Sequence, residues 1–314
     1  MQLPQGHMYS LAFALPATPP FRLDLTVWAL KRRSKNTIDL WEEDRYIRVL
    51  DIEDTAVIVE VEQRFGKDAI CVVARSARRI SRLKEKIAHT LNVMLGLQVD
   101  LAPFYQLAKK NSALNELASK FKGMKPPRFP TLFETLANAI AFQQLSLEAG
   151  FSLINKLVMK YGKVFKLKKR LFFSFPDPNR IAKCSVKDLM ALGFSRHKSE
   201  AMILIASVTA HADKALDEEF LEGLPNEEAV RLLCCLKGIG RWSAEYVLLR
   251  GLGRIEVLPG DDVGLHRNIK PLLNLRKDPD FERIKKIERE WHPYAGMIYF
   301  HLLLNKLFEQ EIGS

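Results

Sequence analysis

Two rhythms of apolar spacing divide the chain. Over residues 21–30 (FRLDLTVWAL) apolar and polar side chains alternate with period two for much of the stretch, and residues 46–50, 56–61 and 69–74 are short β-rich runs separated by charged or glycine-containing turns. Such alternation sets one face on a core and the other in solvent, so these runs predict an antiparallel sheet. Between Ser76 and Gly96, the residues Ile80, Leu83, Ile87, Leu91 and Met94 recur every three or four positions, the spacing of an amphipathic helix able to cover one sheet face. Together they predict an N-terminal α+β domain over residues 1–110.

From residue 111 to 314 the rhythm is helical and no further strand pair stands out. Helices are expected at 101–110, 113–122, 131–143, 147–161, 187–192, 196–211, 226–236, 242–250, 262–272, 281–291 and 293–309, with Pro126, Pro127 and Pro130 marking a linker. The expected fold class is mostly α with a small N-terminal antiparallel-sheet domain.

Composition narrows the partners. A formal net charge of +11 favours polyanions, nucleic acid before an anionic membrane surface. No stretch has the apolar length of a membrane span, and the start, MQLPQGHMYSLAFALP, lacks a basic segment before its apolar patch, so a soluble intracellular protein is expected. Cys71, Cys184, Cys234 and Cys235 are scattered and read as reduced core thiols. His-Glu-x-x-His and Cys-x-x-Cys are both missing, so a metal-activated water is not indicated. The basic runs at Lys31, Arg32, Arg33 and Lys35, and from Lys156 to Arg170, read as solvated faces unless they border a site.

Candidate chemistry sits between Leu232 and Leu273. An apolar helix ends at Leu236, Lys237-Gly238-Ile239-Gly240 forms a tight turn, and a second helix opens at Arg241 or Trp242, so residues 236–241 read as a hairpin between helices. A turn this tight needs positive φ or a missing Cβ, which Gly238 and Gly240 supply. Free N–H groups at the start of the second helix make an anion site that a DNA phosphate can approach. Ile239 is expected to point into the core. Trp242 and Tyr246, four apart, share a helix face, and Asp262 stands where an N-cap belongs. Taken singly, these features also fit an ordinary turn, core packing and a plain cap.

Together they resemble the helix-hairpin-helix (HhH-GPD) DNA glycosylase superfamily. Leu236-Lys237-Gly238-Ile239-Gly240 is similar to its Leu-x-Gly-Ile/Val-Gly hairpin, and Leu258-Pro259-Gly260-Asp261-Asp262-Val263-Gly264-Leu265 to the Pro- and Asp-containing loop that follows. Residues 139–146 (AIAFQQLS) are similar to its Ile-x-x-Gln-Gln-x-Ser segment, and residues 192–198 (LGFSRHK) to its Gly-Phe/Leu-Ser-x-x-Lys turn. Gly240-Arg241-Trp242-Ser243-Ala244-Glu245-Tyr246 and Glu290-Trp291-His292-Pro293-Tyr294 are similar to the 3-methyladenine DNA glycosylase II (AlkA) type.

The resemblance implies an active-site cleft between two helical subdomains and a monofunctional base excision repair enzyme. It would flip alkylated purines, of the 3-methyladenine and 7-methylguanine type, out of double-stranded DNA and hydrolyse the N-glycosidic bond. Asp262 corresponds to the catalytic aspartate, stabilising the oxocarbenium, activating water, or both. Trp242 and Tyr246 line the base pocket, and Lys237, Gly238, Ile239 and Gly240 form the DNA-binding hairpin. Gln143, Gln144 and Leu145 are candidates for the wedge that fills the gap. Members that also cut the backbone carry lysine where this chain has Trp242, so no AP lyase activity is expected. No metal or cofactor is implied except a structural monovalent cation at the hairpin. A monomer is expected, with no membrane partner, at the nucleoid of a prokaryote or in the nucleus of a eukaryote. The alternatives are a glycosylase for oxidised or deaminated bases, opposed by the missing lysine, and a non-catalytic DNA-binding module, opposed by the Asp-containing loop.

Overall fold

A computed structural model describes residues 8–64, 68–211 and 216–312; the first seven residues of the N-terminal stretch lie outside them. The β-rich runs at 46–50, 56–61 and 69–74 become β3 (Arg45–Ile52), β4 (Thr55–Gln63) and β5 (Ala69–Ser76), and two strands that the spacing did not predict, β1 (Tyr9–Pro16) and β2 (Leu40–Glu42), complete a five-stranded sheet. Its spatial order is β1-β5-β4-β3-β2, with every neighbour antiparallel. Glu43-Asp44 and Glu53-Asp54 are two-residue turns with all four φ angles between 49° and 59°, the mirror-image geometry whose twist suits adjoining strands. On one face, Tyr46, Leu50, Val57, Val59, Ile70 and Val72 pack with Leu83, Ile87, Leu91 and Met94 of α2 (Leu83–Leu95), the stripe that the spacing predicted.

Two expectations fail, each for a physical reason. Residues 21–30 are not a strand but lead into α1 (Leu23–Lys31). Leu23, Val27 and Leu30 face the sheet core, while Leu25 and Ala29 face a second core made by the C-terminal helices. Two helical stripes offset by two residues give apolar side chains at alternate positions, which imitates a strand.

The second failure is the missing strand pair, because β6 (Val164–Leu167) and β7 (Arg170–Phe173) form an antiparallel hairpin within the basic run. Phe165 and Phe172 pack on Ile47, Val49 and Ile58 and so cover the other sheet face. The hairpin turns at Lys168-Lys169 with Lys168 at φ 53°, so the glycine or asparagine that usually marks such a turn is absent. Lys163 pairs with Asp51 and Asp54 and is therefore no part of a free solvated face.

The helices are α3 (Ala102–Ala108), α4 (Ser112–Lys120), α5 (Leu132–Phe142), α6 (Leu147–Tyr161), α7 (Pro178–Ala182), α8 (Val186–Met190), α9 (Arg196–Ala210), α10 (Glu218–Glu222), α11 (Asn226–Cys234), α12 (Arg241–Arg250), α13 (Val263–Leu272), α14 (Phe281–Trp291) and α15 (Ala295–Ile312). One helical core joins α5 through α12; another joins α1, α3 and α4 to α13, α14 and α15. Every residue of α5 is buried, and the helix packs against α6, α9 and α12. Among the described residues no helix is long and apolar enough to cross a membrane.

Burial also reaches charges. Arg48 of β3 lies 2.6 Å from Asp39 Oδ1 and 2.6 Å from both carboxylate oxygens of Glu134 on α5, with no side chain of the three more than 2% exposed. The first basic run is likewise not a solvated face at its start: Arg32 is buried over the rings of Phe142 and Phe151, 4.5 and 5.1 Å from their centroids, and Lys31 is buried beside Trp28. The cysteines are free but are not core thiols, since Cys234 and Cys235 are exposed beyond the Ala229, Val230 and Leu233 stripe of α11.

Removing one member of a buried ion cluster strands the others. Arg48→Met should lower the unfolding free energy by about 3–5 kcal/mol in urea titrations at neutral pH, and adding Glu134→Leu should recover part of that loss. A single variant as stable as the wild type would dismiss the cluster as a tie between sheet and helices.

Candidate active site

The hairpin between α11 and α12 is fixed by its glycines unequally. Gly238 has φ 92°, and a Cβ there would stand 2.5 Å from the Ala201 Cβ on α9. Gly240 is the N-cap of α12 at φ −95°, it is exposed, and apart from its own chain neighbours no described atom lies within 4 Å of the place a Cβ would take. The strain expected at both positions therefore falls on Gly238, while Gly240 keeps the approach to the helix start open. No side chain caps α12, so its first-turn N–H groups remain an electropositive end suited to an anion. Ile239 is 5% exposed and packs into the helical core, as expected. Lys237 is exposed, 3.3 Å from Glu200 Oε2.

A second turn is bound to this hairpin. Gln143 Nε2 donates to the Gly238 carbonyl and to Ser243 Oγ, each at 2.9 Å. Lys198 Nζ donates to the carbonyls of Ala141 and Gln143 at 3.0 and 2.7 Å, closing the C-terminus of α5; burial holds its ammonium below the usual lysine range. Gln144 has φ 54° and is exposed, and Leu145 is 43% exposed. The structure thus separates the three wedge candidates: Gln143 is engaged with the hairpin, and Gln144 and Leu145 reach solvent.

Beyond the hairpin, α12 brings Trp242 and Tyr246 together with ring centroids 5.4 Å apart and planes inclined by 31°. Trp242 Nε1 donates to Asp262 Oδ2 at 3.2 Å. Asp262 is the N-cap of α13, its Oδ1 accepting the Leu265 N–H at 2.8 Å, whereas Asp261 is exposed. The loop before it is held from inside: Gly260 N donates to Glu245 Oε2 at 3.0 Å, and Arg241 Nε donates to Glu245 Oε1 at 2.8 Å. Burial raises the Glu245 carboxyl against those two donors.

Tyr299 of α15 donates its hydroxyl to Asp262 Oδ2 at 3.2 Å. Burial, and next the charge of Asp262, push its phenol well above the usual tyrosine range, so it remains a donor. Sequence reading misses this residue because a tyrosine in the apolar α15 looks like core. The Tyr246 hydroxyl is buried without a hydrogen-bond partner among the described residues. Behind it Arg250 is wholly buried, donating to the Ala29 carbonyl and lying 5.8 Å from the Tyr246 ring centroid. The arrangement joins a held carboxylate, a tilted aromatic pair and an uncapped helix start, which suits stabilising positive charge beside a bound polyanion.

A glycine hairpin, the carboxylate heading the helix beyond it and a small antiparallel sheet in front define the helix-hairpin-helix glycosylase fold. The family model for the HhH-GPD superfamily base excision DNA repair proteins matches residues 137–293, and the chain belongs to that superfamily. It is 30% identical over 287 residues to the DNA-3-methyladenine glycosylase of Bacillus subtilis (strain 168), covering 90% of this chain and 94% of that protein. The structure of a 3-methyladenine DNA glycosylase from Archaeoglobus fulgidus superposes with a TM-score of 0.80 at 27% identity, over 93% of this chain and 97% of that one. A Schizosaccharomyces pombe 3-methyladenine DNA glycosylase in complex with abasic DNA matches with a TM-score of 0.53 at 27% identity, over 63% of this chain and 92% of that one.

The two glycines should respond differently to a methyl group. Gly238→Ala should cost about 1–3 kcal/mol in urea unfolding, from the left-handed backbone and the contact with Ala201. Gly240→Ala should stay within about 0.5 kcal/mol of the wild type. Equal losses at both positions would contradict this geometry.

Proposed function

We propose that the protein is a monofunctional DNA glycosylase that takes a damaged base out of duplex DNA and hydrolyses its N-glycosidic bond, with alkylated purines of the 3-methyladenine and 7-methylguanine type as substrates. The observation that carries this reading is the single carboxylate of Asp262, fixed at the head of α13 against the indole that stacks on Tyr246.

A base alkylated at N3 or N7 of a purine is cationic, and an aromatic face attracts a desolvated cation by up to about 2 kcal/mol. As the bond breaks, its electron pair leaves with the base and C1′ becomes an oxocarbenium, whose charge faces Asp262. Water then adds to C1′ and gives up a proton, leaving an abasic sugar. Trp242 holds the position at which backbone-cutting members of the superfamily carry lysine, and an indole forms no Schiff base with C1′. The strand is accordingly left intact.

The uncapped start of α12, with Gly240 clear of neighbours, supports phosphate binding by the hairpin of Lys237, Gly238, Ile239 and Gly240. The exposed Gln144 and Leu145 are the residues available to fill the gap in the duplex. The four hairpin residues carry no acidic side chain, so a structural monovalent cation at this turn would be held by main-chain carbonyls, of which that of Gly238 already accepts Gln143 Nε2. Such an ion would add positive charge near the phosphate. The protein acts as a monomer in this reading, wherever the cell keeps its DNA.

Single-turnover assays on duplexes that each carry one lesion test the proposal. The wild type should release 3-methyladenine and 7-methylguanine. Asp262→Asn keeps a side-chain oxygen for the cap, and should lose at least about 10³-fold in excision rate while DNA affinity stays within about tenfold. Near-normal turnover in that variant would remove Asp262 from the chemistry. Borohydride should trap no covalent enzyme–DNA adduct, and an adduct at active-site stoichiometry would replace water with an amine nucleophile.

A further inference from the structure

Resting on that reading of the site, we infer that Tyr299 is a positioning residue for Asp262: its phenol and the Trp242 indole hold one carboxylate oxygen, Oδ2, and leave Oδ1 as the atom that faces water. Both bonds to Oδ2 measure 3.2 Å and arrive from different helices, α12 and α15. A carboxylate oxygen has about two lone-pair sites, so two donors saturate Oδ2. Among the described residues Oδ1 has the Leu265 N–H as its donor, at 2.8 Å, which leaves a second lone pair.

The surroundings of Oδ1 agree. A Cβ on Gly264 would stand 2.9 Å from it, so the glycine there keeps that side of the carboxylate open. Val263 beside it is 63% exposed, so the start of α13 stands at the surface. The phenol, held in its protonated form by burial and the adjacent carboxylate, can act only as donor to an ionised aspartate. Three donors from three directions then fix the plane of the carboxylate before any DNA arrives, which is the preorganisation that charge stabilisation requires. The Tyr299 ring also lies edge-on to Phe300, with centroids 6.0 Å apart, so its hydroxyl must be tested apart from its packing.

Tyr299→Phe makes that separation, removing the hydroxyl and keeping the ring. The excision rate should fall about tenfold, the loss of one hydrogen bond to a charged group, while KM for the lesion duplex and the melting temperature stay unchanged. Gly264→Ala, which crowds Oδ1, should also slow turnover at unchanged KM. A readout independent of turnover is the indole N–H signal of Trp242, identified among the four tryptophans by its loss in Trp242→Phe. In Tyr299→Phe that signal should move downfield as the indole loses its competitor for Oδ2, with the other three unmoved. An unmoved Trp242 signal, or a full excision rate in Tyr299→Phe, would overturn the role of Tyr299, and a full rate in Gly264→Ala would overturn the assignment of Oδ1. A wild type that excises nothing would instead sink the glycosylase reading and leave the spectroscopic test standing.

Discussion

The placement of the glycine hairpin depends on the complete burial of α5. A helix with no face in water must satisfy every polar group it carries from within the protein, because an unpaired buried group costs more than the bond it forgoes. Near its N-terminus Glu134 meets the guanidinium of Arg48 on the sheet. In its middle Asn138 donates to the Glu134 carbonyl at 2.9 Å and accepts from Arg32. At its C-terminus the carbonyls of Ala141 and Gln143 receive Lys198 from α9. Each end of α5 is thus located by charges on another layer of the fold, and Gln143 passes that position on to the glycine hairpin. The hairpin and the turn at Gln144 and Leu145 inherit their geometry from the interior.

Asp262 is held at both of its carboxylate oxygens. Its Oδ1 satisfies a helix-end N–H that would otherwise be orphaned, a role worth about 1 kcal/mol of stability. Its Oδ2 turns toward the aromatic wall of α12. The cap fixes the carboxylate through the backbone of α13, so its position is set by the same bond that starts the helix. Glu245 supports this from below by holding the Gly260 N–H, which makes the loop between α12 and α13 part of the core.

The sequence was most legible where backbone and side-chain demands coincide. The hairpin glycines, the Asp262 cap and the α2 stripe each carry a local signature, and all three lie where the spacing put them. Legibility failed where two cores met. Helix α1 is buried on two sides, so its periodicity was that of a strand; Trp28 meets Lys31, three residues on, only once that run is a helix, and nothing nearby in sequence announces the rings of Phe142 and Phe151 as the cover of Arg32. Tyr299 and Trp242 both bond Asp262 but are 57 residues apart, a juxtaposition that only the packing of α15 against α13 creates. Lys198 lay within a recognised segment, yet its role required knowing where α5 ends.

The β6–β7 hairpin has a consequence for synthesis. Ile47, Val49 and Ile58 are laid out as soon as β3 and β4 pair, but Phe165 and Phe172, which cover them, leave the ribosome only after β7 has been made. At ordinary elongation rates the interval is on the order of ten seconds. For that time a paired β3 and β4 would lack the two phenylalanines that cover this face. Slow codons between β5 and β6 would lengthen the exposure, and fast ones would shorten it. The hairpin therefore makes the cover of this sheet face wait on a segment about a hundred residues further along the chain.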